Sequence, residues 1–214
     1  SSLVVNSVGT FDINNVTLNT LGSVSIQGTG NGGVGAITGT GTGAVYGGAV
    51  TMAGAATIGG AGTLTLNGAI GDGGSGFALT KAGVGTLMLS GANTYTGVTT
   101  INNGTLVLSG GGSIASSSQV NVANAAGIFD ISGTTAGASI TTLNGVASSQ
   151  VALGAKTLTI SNGSTTYAGF IGGTSGGLTL NFGTQTLSGA NAYTGTTTIN
   201  GATLALSGSG SIAS

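Results

Sequence analysis

A short alternation of threonine with an aliphatic residue recurs along this chain about every twenty residues. It reads Thr63-Leu64-Thr65-Leu66, Thr86-Leu87-Met88-Leu89, Thr105-Leu106-Val107-Leu108, Thr157-Leu158-Thr159-Ile160, Gly177-Leu178-Thr179-Leu180 and Thr203-Leu204-Ala205-Leu206. Period-two alternation places the aliphatics on one face of a strand and the hydroxyls on the other. The second aliphatic recurs at regular distances: Leu66 to Leu89 is 23 residues, Leu89 to Leu108 is 19, Ile160 to Leu180 is 20 and Leu187 to Leu206 is 19. Shorter strand candidates lie between, such as Phe77-Ala78-Leu79, Val98-Thr99-Thr100-Ile101 and Phe129-Asp130-Ile131. Two or three strands in every turn of roughly 20 residues predict an all-β chain wound as a parallel β-helix, a β-solenoid. Inward Leu, Ile, Val and Phe would stack coil upon coil, outward Thr and Ser would form ladders, and Gly and Asn would take the corners. At that pitch the chain makes about ten coils, a rod of roughly 50 Å.

A longer repeat overlies the short one. Gly91-Ala92-Asn93-Thr94-Tyr95-Thr96-Gly97 returns 98 residues later as Gly189-Ala190-Asn191-Ala192-Tyr193-Thr194-Gly195. Thr99–Asn102, Thr105–Gly110 and Ser113–Ser116 return at the same offset. The pattern after Ser116, which includes Phe129-Asp130-Ile131, matches the start of the chain with its Phe11-Asp12-Ile13. Two units are expected, 1–116 and 117–214, in one continuous solenoid cut from a longer tandem array. The continuity of pattern from Ser214 back to Ser1 predicts complementary ends. Residues 27–62 are the weakest stretch, with eight glycines between Gly28 and Gly43. Thin strands or a loop are expected there, although Val34, Ile37, Val45 and Val50 favour continued coils.

Composition narrows the function. The chain has 214 residues, 46 of them glycine, and no Pro, Cys, Trp or His. Its only charges are Asp12, Asp72, Asp130, Lys81 and Lys156, for a net charge of −1. A typical globular surface is about a quarter charged, so water must be met here by hydroxyls and amides. Repulsion between copies is weak, which favours self-association. Without a basic patch, nucleic acid is not an expected partner. Missing Cys removes disulfides and thiolate metal sites together. No run reaches the ~18 uncharged apolar residues of a membrane-spanning helix.

Catalysis finds few of the residue types it needs. Glycoside hydrolysis uses paired carboxylates, yet Asp12 and Asp130 are equivalent positions 118 residues apart and are expected several coils apart. Asp72, in Gly71-Asp72-Gly73-Gly74, reads as a turn residue. With no Glu, His or Arg, general acid–base and oxyanion groups are nearly absent. The Gly71–Gly76 turn lacks the repeated Asp of a calcium site, and the glycines of 28–33 lack the Lys and helix of a phosphate loop. No catalytic residue, cofactor or metal is therefore expected. Lys81 and Lys156 are expected to be solvated or paired to a nearby Asp. Tyr95 and Tyr193 stand at equivalent repeat positions; they are candidates for surface contact with a glycan or partner, the other reading being rings that cover the core at a corner. Thr-x-Thr at Thr63/Thr65, Thr157/Thr159, Thr184/Thr186 and Thr196/Thr198 is similar to ice-binding β-helix faces, but Met88 and Val107 interrupt it.

The stretch Leu79-Thr80-Lys81-Ala82-Gly83-Val84-Gly85-Thr86-Leu87-Met88-Leu89-Ser90-Gly91-Ala92-Asn93-Thr94-Tyr95-Thr96-Gly97, with Thr99–Asn102 and Gly104–Leu108, closely resembles the passenger-associated β-strand repeat of autotransporters, the type V secreted surface proteins of Gram-negative bacteria. A looser copy spans Leu178–Leu206, with Asn181-Phe182-Gly183 where the first has Lys81-Ala82-Gly83. The resemblance implies a right-handed parallel β-helix passenger at the outer cell surface, with a signal peptide upstream and a membrane β-barrel downstream. The expected function is structural and adhesive: a surface-displayed or filament-forming rod acting in adhesion, aggregation or biofilm. Expected partners are its own copies, head to tail or laterally, and cell-surface glycans or proteins. The alternative is an inert stalk that displays a distal domain.

Overall fold

The computed structural model describes residues 2–212. Strands account for nearly all its regular structure, and every strand pairing is parallel. The chain winds as a solenoid of about ten coils, each contributing up to three strand segments. In chain order these define three faces. The first face carries Leu3–Val5 in the first coil and Val24–Gly28 in the second; the second face carries Phe11–Asp12 and Ile37–Thr38; the third carries Thr17–Leu18 and Ala44–Tyr46. The third face is a nine-stranded sheet. The first two merge into a fifteen-stranded sheet because Val50–Gly59 and Gly177–Leu187 run unbroken round the corner between them.

Register follows the aliphatic spacing read from the sequence. Leu89 pairs with both Leu66 and Leu108, Ile160 with Leu180, and Leu187 with Leu206. Each pleat turns these aliphatics inward and leaves Thr63, Thr65, Thr86 and Thr105 half-buried outside. The inward residues form one contiguous core along the axis. Stacking like on like fixes register, since a one-residue slip would turn every aliphatic to solvent. Corners are cut close: Gly83 has φ 74°, and a Cβ there would meet the carbonyl oxygen of Gly60 at 2.5 Å. Only glycine fits a left-handed corner packed this tightly.

Residues 27–62 depart from expectation. Instead of thin strands or a loop throughout, they include the ten-residue strand Val50–Gly59, which neighbours pair at Val50–Met52 and again at Ala56–Gly59. Ala and Gly carry little strand propensity, and pairing on both sides overrides it. Ile37 and Val50 are in the core, but Val34 is exposed, following a short 3-10 turn at Asn31–Gly33. The strand expected at Phe77–Leu79 runs instead over Leu79–Lys81.

The two copies of the long repeat do not stack in phase. Thr86–Leu89 lies on the third face, whereas its counterpart Thr184–Leu187 lies on the second. Thr99–Ile101 is on the second face and Thr197–Ile199 on the first. The 98-residue repeat thus spans four and two-thirds coils, and the copies are turned by a third of a revolution. The first face also lapses at its middle. Strands Leu3–Val5, Val24–Gly28, Val50–Thr51 and Ile70–Gly71 build one end, and Ala138–Ile140, Thr157–Ile160, Gly177–Leu180 and Thr197–Ile199 the other. Between them lie Ala92–Thr94 and Ser113, joined by a single bridge from Ala92 to Ser113. The continuity expected from Ser214 back to Ser1 falls outside the described residues.

Candidate functional site

The first Gly-Ala-Asn-x-Tyr-Thr-Gly segment sits where strand pairing lapses and its side chains replace the missing ladder, whereas the second adds the short strand Ala192–Tyr193 to the third face. Asn93 Oδ1 accepts from the Ile70 amide at 2.9 Å, while its Nδ2 donates to the carbonyls of Gly91 at 3.0 Å and Ser113 at 2.9 Å. One side-chain amide thereby links three successive coils. Asn191 repeats the arrangement, with its Oδ1 accepting from Ile171 and its Nδ2 donating to Gly189 and Ser211. Both asparagines are buried. A buried amide is stable only when both of its ends are satisfied, which explains why Asn recurs here.

Tyr95 and Tyr193 correct an expectation. As candidate surface contacts they should present their rings to solvent, yet they are 1% and 0% exposed. The pleat turns each ring into the core, and the hydroxyls bond Thr99 Oγ1 and Thr197 Oγ1, each at 2.7 Å. Burial pushes both hydroxyls above their ordinary range, and the threonine bonds work against that shift. Thr99 is itself buried and touches Ser117 Oγ at 2.9 Å, and Ser117 donates to the Gly97 carbonyl. This forms a closed polar cluster inside the rod.

Lys81 also departs from expectation. It is 1% exposed and stands in the inner file between Ile58 and Ile101. Its ammonium donates to the carbonyls of Ala82 at 2.9 Å, Gly83 at 2.8 Å and Asn103 at 3.1 Å. Burial lowers its pKa to about 8. The alternation Leu79-Thr80-Lys81 places Lys81 on the inward face with Leu79, a short signal against the usual solvation of a charge. Lys156 is half-buried and donates to the Thr135 carbonyl.

The three carboxylates lie apart, each occupied by its own corner. Asp12 is in the first coil, Asp72 in the fourth and Asp130 in the sixth. Asp72 closes the turn expected of it. Burial raises its pKa, but bonds from the Thr96, Gly74 and Phe77 amides and the Thr96 hydroxyl outweigh this and hold it at about 2. Asp12 accepts from Thr38, Thr40 and Asn14; burial raises its pKa and these bonds more than offset it, so the net shift is downward. Asp130 accepts from the Ser132 amide. No cluster of three potential metal ligands occurs among the described residues.

On the outside, a shallow groove of about 510 Å³ runs along one corner between Val34, Thr38, Thr40, Ala61 and Val84. Val84 is 69% exposed, and its repeat counterpart Phe182 is 65% exposed. They are two of several exposed apolar positions, which include Val8, Val34, Ile199 and Leu206.

The repeat geometry agrees with the comparisons. Residues 79–108 and 182–206 match the family described as passenger-associated-transport-repeat. The chain is 41% identical over 150 residues to a protein named adhesin BmaC autotransporter from Brucella suis biovar 1 (strain 1330). That match covers 67% of this chain and 4% of the Brucella protein, so the chain corresponds to a small part of that relative. No solved structure matches significantly. The first matched segment contains Lys81, Asn93 and Tyr95 and the second contains Asn191 and Tyr193, so the matched family and the side chains that hold coil to coil coincide. The chain is a stretch of autotransporter passenger, a β-solenoid carrying two passenger-associated transport repeats.

Proposed function

We propose that this chain is a length of the adhesive rod of a bacterial surface protein, displayed outside a Gram-negative cell. The observation that carries this reading is the 41% identity to an adhesin autotransporter, which extends well beyond the two repeat segments. The geometry supports it. Backbone ladders and internal polar side chains hold a long core, while the surface has few charges and no convergent set of reactive groups among the described residues. We read the role as non-catalytic and the partners as other cells, their glycans or proteins, and further copies of the rod, in adhesion, aggregation or biofilm.

A stalk that only displays a distal domain is the competing reading; a rod needs no adhesive face for that. Replacing this length of the parent protein by an unrelated β-solenoid of equal length separates the two. Adhesion should fall several-fold while surface display is unchanged. Full adhesion after the exchange would establish the stalk.

A further inference from the structure

On the second face most coils contribute a strand of two or three residues with one outward residue beside inward neighbours, while Gly177–Leu187 continues along this face for longer and also turns Thr184 outward. Register places these residues in a single file. Thr57 pairs with Thr80, Thr80 with Thr100, Thr100 with Asn121 and Asn121 with Asn144. The Gly145–Tyr167 pair carries the file to Thr166, which pairs with Thr186. Thr57 is buried; beyond it Thr80, Thr100, Asn121, Asn144 and Thr186 are half-buried and Thr166 is exposed. These six rungs are all uncharged hydrogen-bonding side chains. Among the described residues none of their side chains makes a hydrogen bond, unlike Thr99, Gln185 and Thr165 beside them. Flanking positions include the small Ala78, Ala82, Ala123 and Ala168, with Val98, Asn102, Gln119, Val146 and Thr184 beside the other rungs. The first face carries a shorter file of the same kind, Ser139, Thr159, Thr179 and Thr198 over four coils, so the second-face file is the longer of the two, whereas the third face places Met88, Val107, Asp130 and Phe170 outward.

We propose that this threonine–asparagine file is a contact surface for a second copy of the same chain, the two rods lying side by side with their files facing. The proposal rests on the adhesive reading above and names one partner for it. Two arguments select a second copy. Rungs are set by strand spacing at ~4.8 Å, and only a rod of identical rise stays in register over all six. Hydroxyls and carboxamides each donate and accept, so the file is complementary to itself about a two-fold axis. With a net charge of −1 and no charge in the file, nothing opposes the approach. A strip of roughly 24 by 10 Å is far below the ~800 Å² per partner of a stable interface. Single rods therefore part readily, and association appears when many are held together.

The test uses beads densely coated with this chain alone, so that no foreign ligand contributes. Wild-type beads should cluster. Thr100→Lys with Asn144→Lys should reduce clustering at least tenfold, whereas Thr86→Lys with Thr105→Lys on the third face should leave it unchanged. Beads bearing Thr100→Glu with Asn144→Glu should not cluster alone but should cluster with the lysine-file beads. Circular dichroism confirms that each variant keeps the wild-type β-signature. Clustering that survives in the lysine-file variant, or that the third-face variant loses equally, overturns the proposal, as does failure of wild-type beads to cluster. Binding of the same beads to foreign cells is scored separately. Its loss in every variant and wild type would overturn the adhesive reading without touching the file contact.

Discussion

At the scale of single residues, this rod is held by polar groups that replace a ladder hydrogen bond or close a corner. Asp72 is an example. Its carboxylate is bonded by three amides and one hydroxyl, and its pKa lies near 2 against an ordinary 3.8. A folded pKa below the unfolded one means that the ionised form stabilises the fold. The contribution is complete above pH 4 and is lost as pH falls through about 2. The Thr96 amide resonance should titrate with a midpoint near 2, and Asp72→Asn should abolish that titration and free the 71–77 turn for exchange. A midpoint close to the ordinary carboxylate value would show that the four bonds do not form. Turn chemistry made Asp72 legible in the sequence. Lys81 was misread because a charged residue is normally solvated, while the alternation that points it inward is only one residue long on either side.

At the scale of elements, the corner segment with Asn93 joins coils where strands do not. Asn93→Leu keeps the approximate size but leaves the Ile70 amide without a partner and the Gly91 and Ser113 carbonyls with only their backbone amide donors. Each buried group left unsatisfied costs ~1–3 kcal/mol. Hydrogen exchange at Ile70 should rise by two orders of magnitude or more, while exchange in the third-face strand Thr105–Leu108 changes little; uniform loosening along the rod would contradict this local role. Neighbour-only coupling between coils is what keeps the effect local. Strand spacing was legible because Leu66, Leu89 and Leu108 stack on one another, so that sequence distance and register are the same quantity. The strand Val50–Gly59 was not, since its run of alanine and glycine is held by pairing at the two ends of the strand rather than by its own propensity. Nor was the one-third turn between repeats, because corner lengths vary and only the pairing partners reveal which face a segment occupies. The asparagine amides carried no alternation and were found only in three dimensions.

At the scale of the whole molecule, the core runs the length of the rod and the four tyrosines report on it. Tyr46, Tyr95, Tyr167 and Tyr193 are all buried, and burial raises each hydroxyl above the ordinary value of 10. The fold therefore holds these protons where an unfolded chain releases them, and stability declines as pH rises past about 10. Phenolate absorbance should appear only together with loss of the β-signature in circular dichroism. A phenolate band that develops earlier, in the intact rod, would place at least one ring in contact with water.

The repeat of four and two-thirds coils has a consequence for how such a rod meets its surroundings. Any surface feature tied to the repeat, such as the exposed knob at Val84 and again at Phe182, appears on a different side each time. A unit recurring at this interval would return to its starting side only after three copies, about fourteen coils or roughly 67 Å along the axis. The marks would climb the shaft like the stripe on a barber's pole. A rod patterned this way has no front or back, so a partner arriving from any direction finds the same feature within one period, and the shaft need not roll to be recognised.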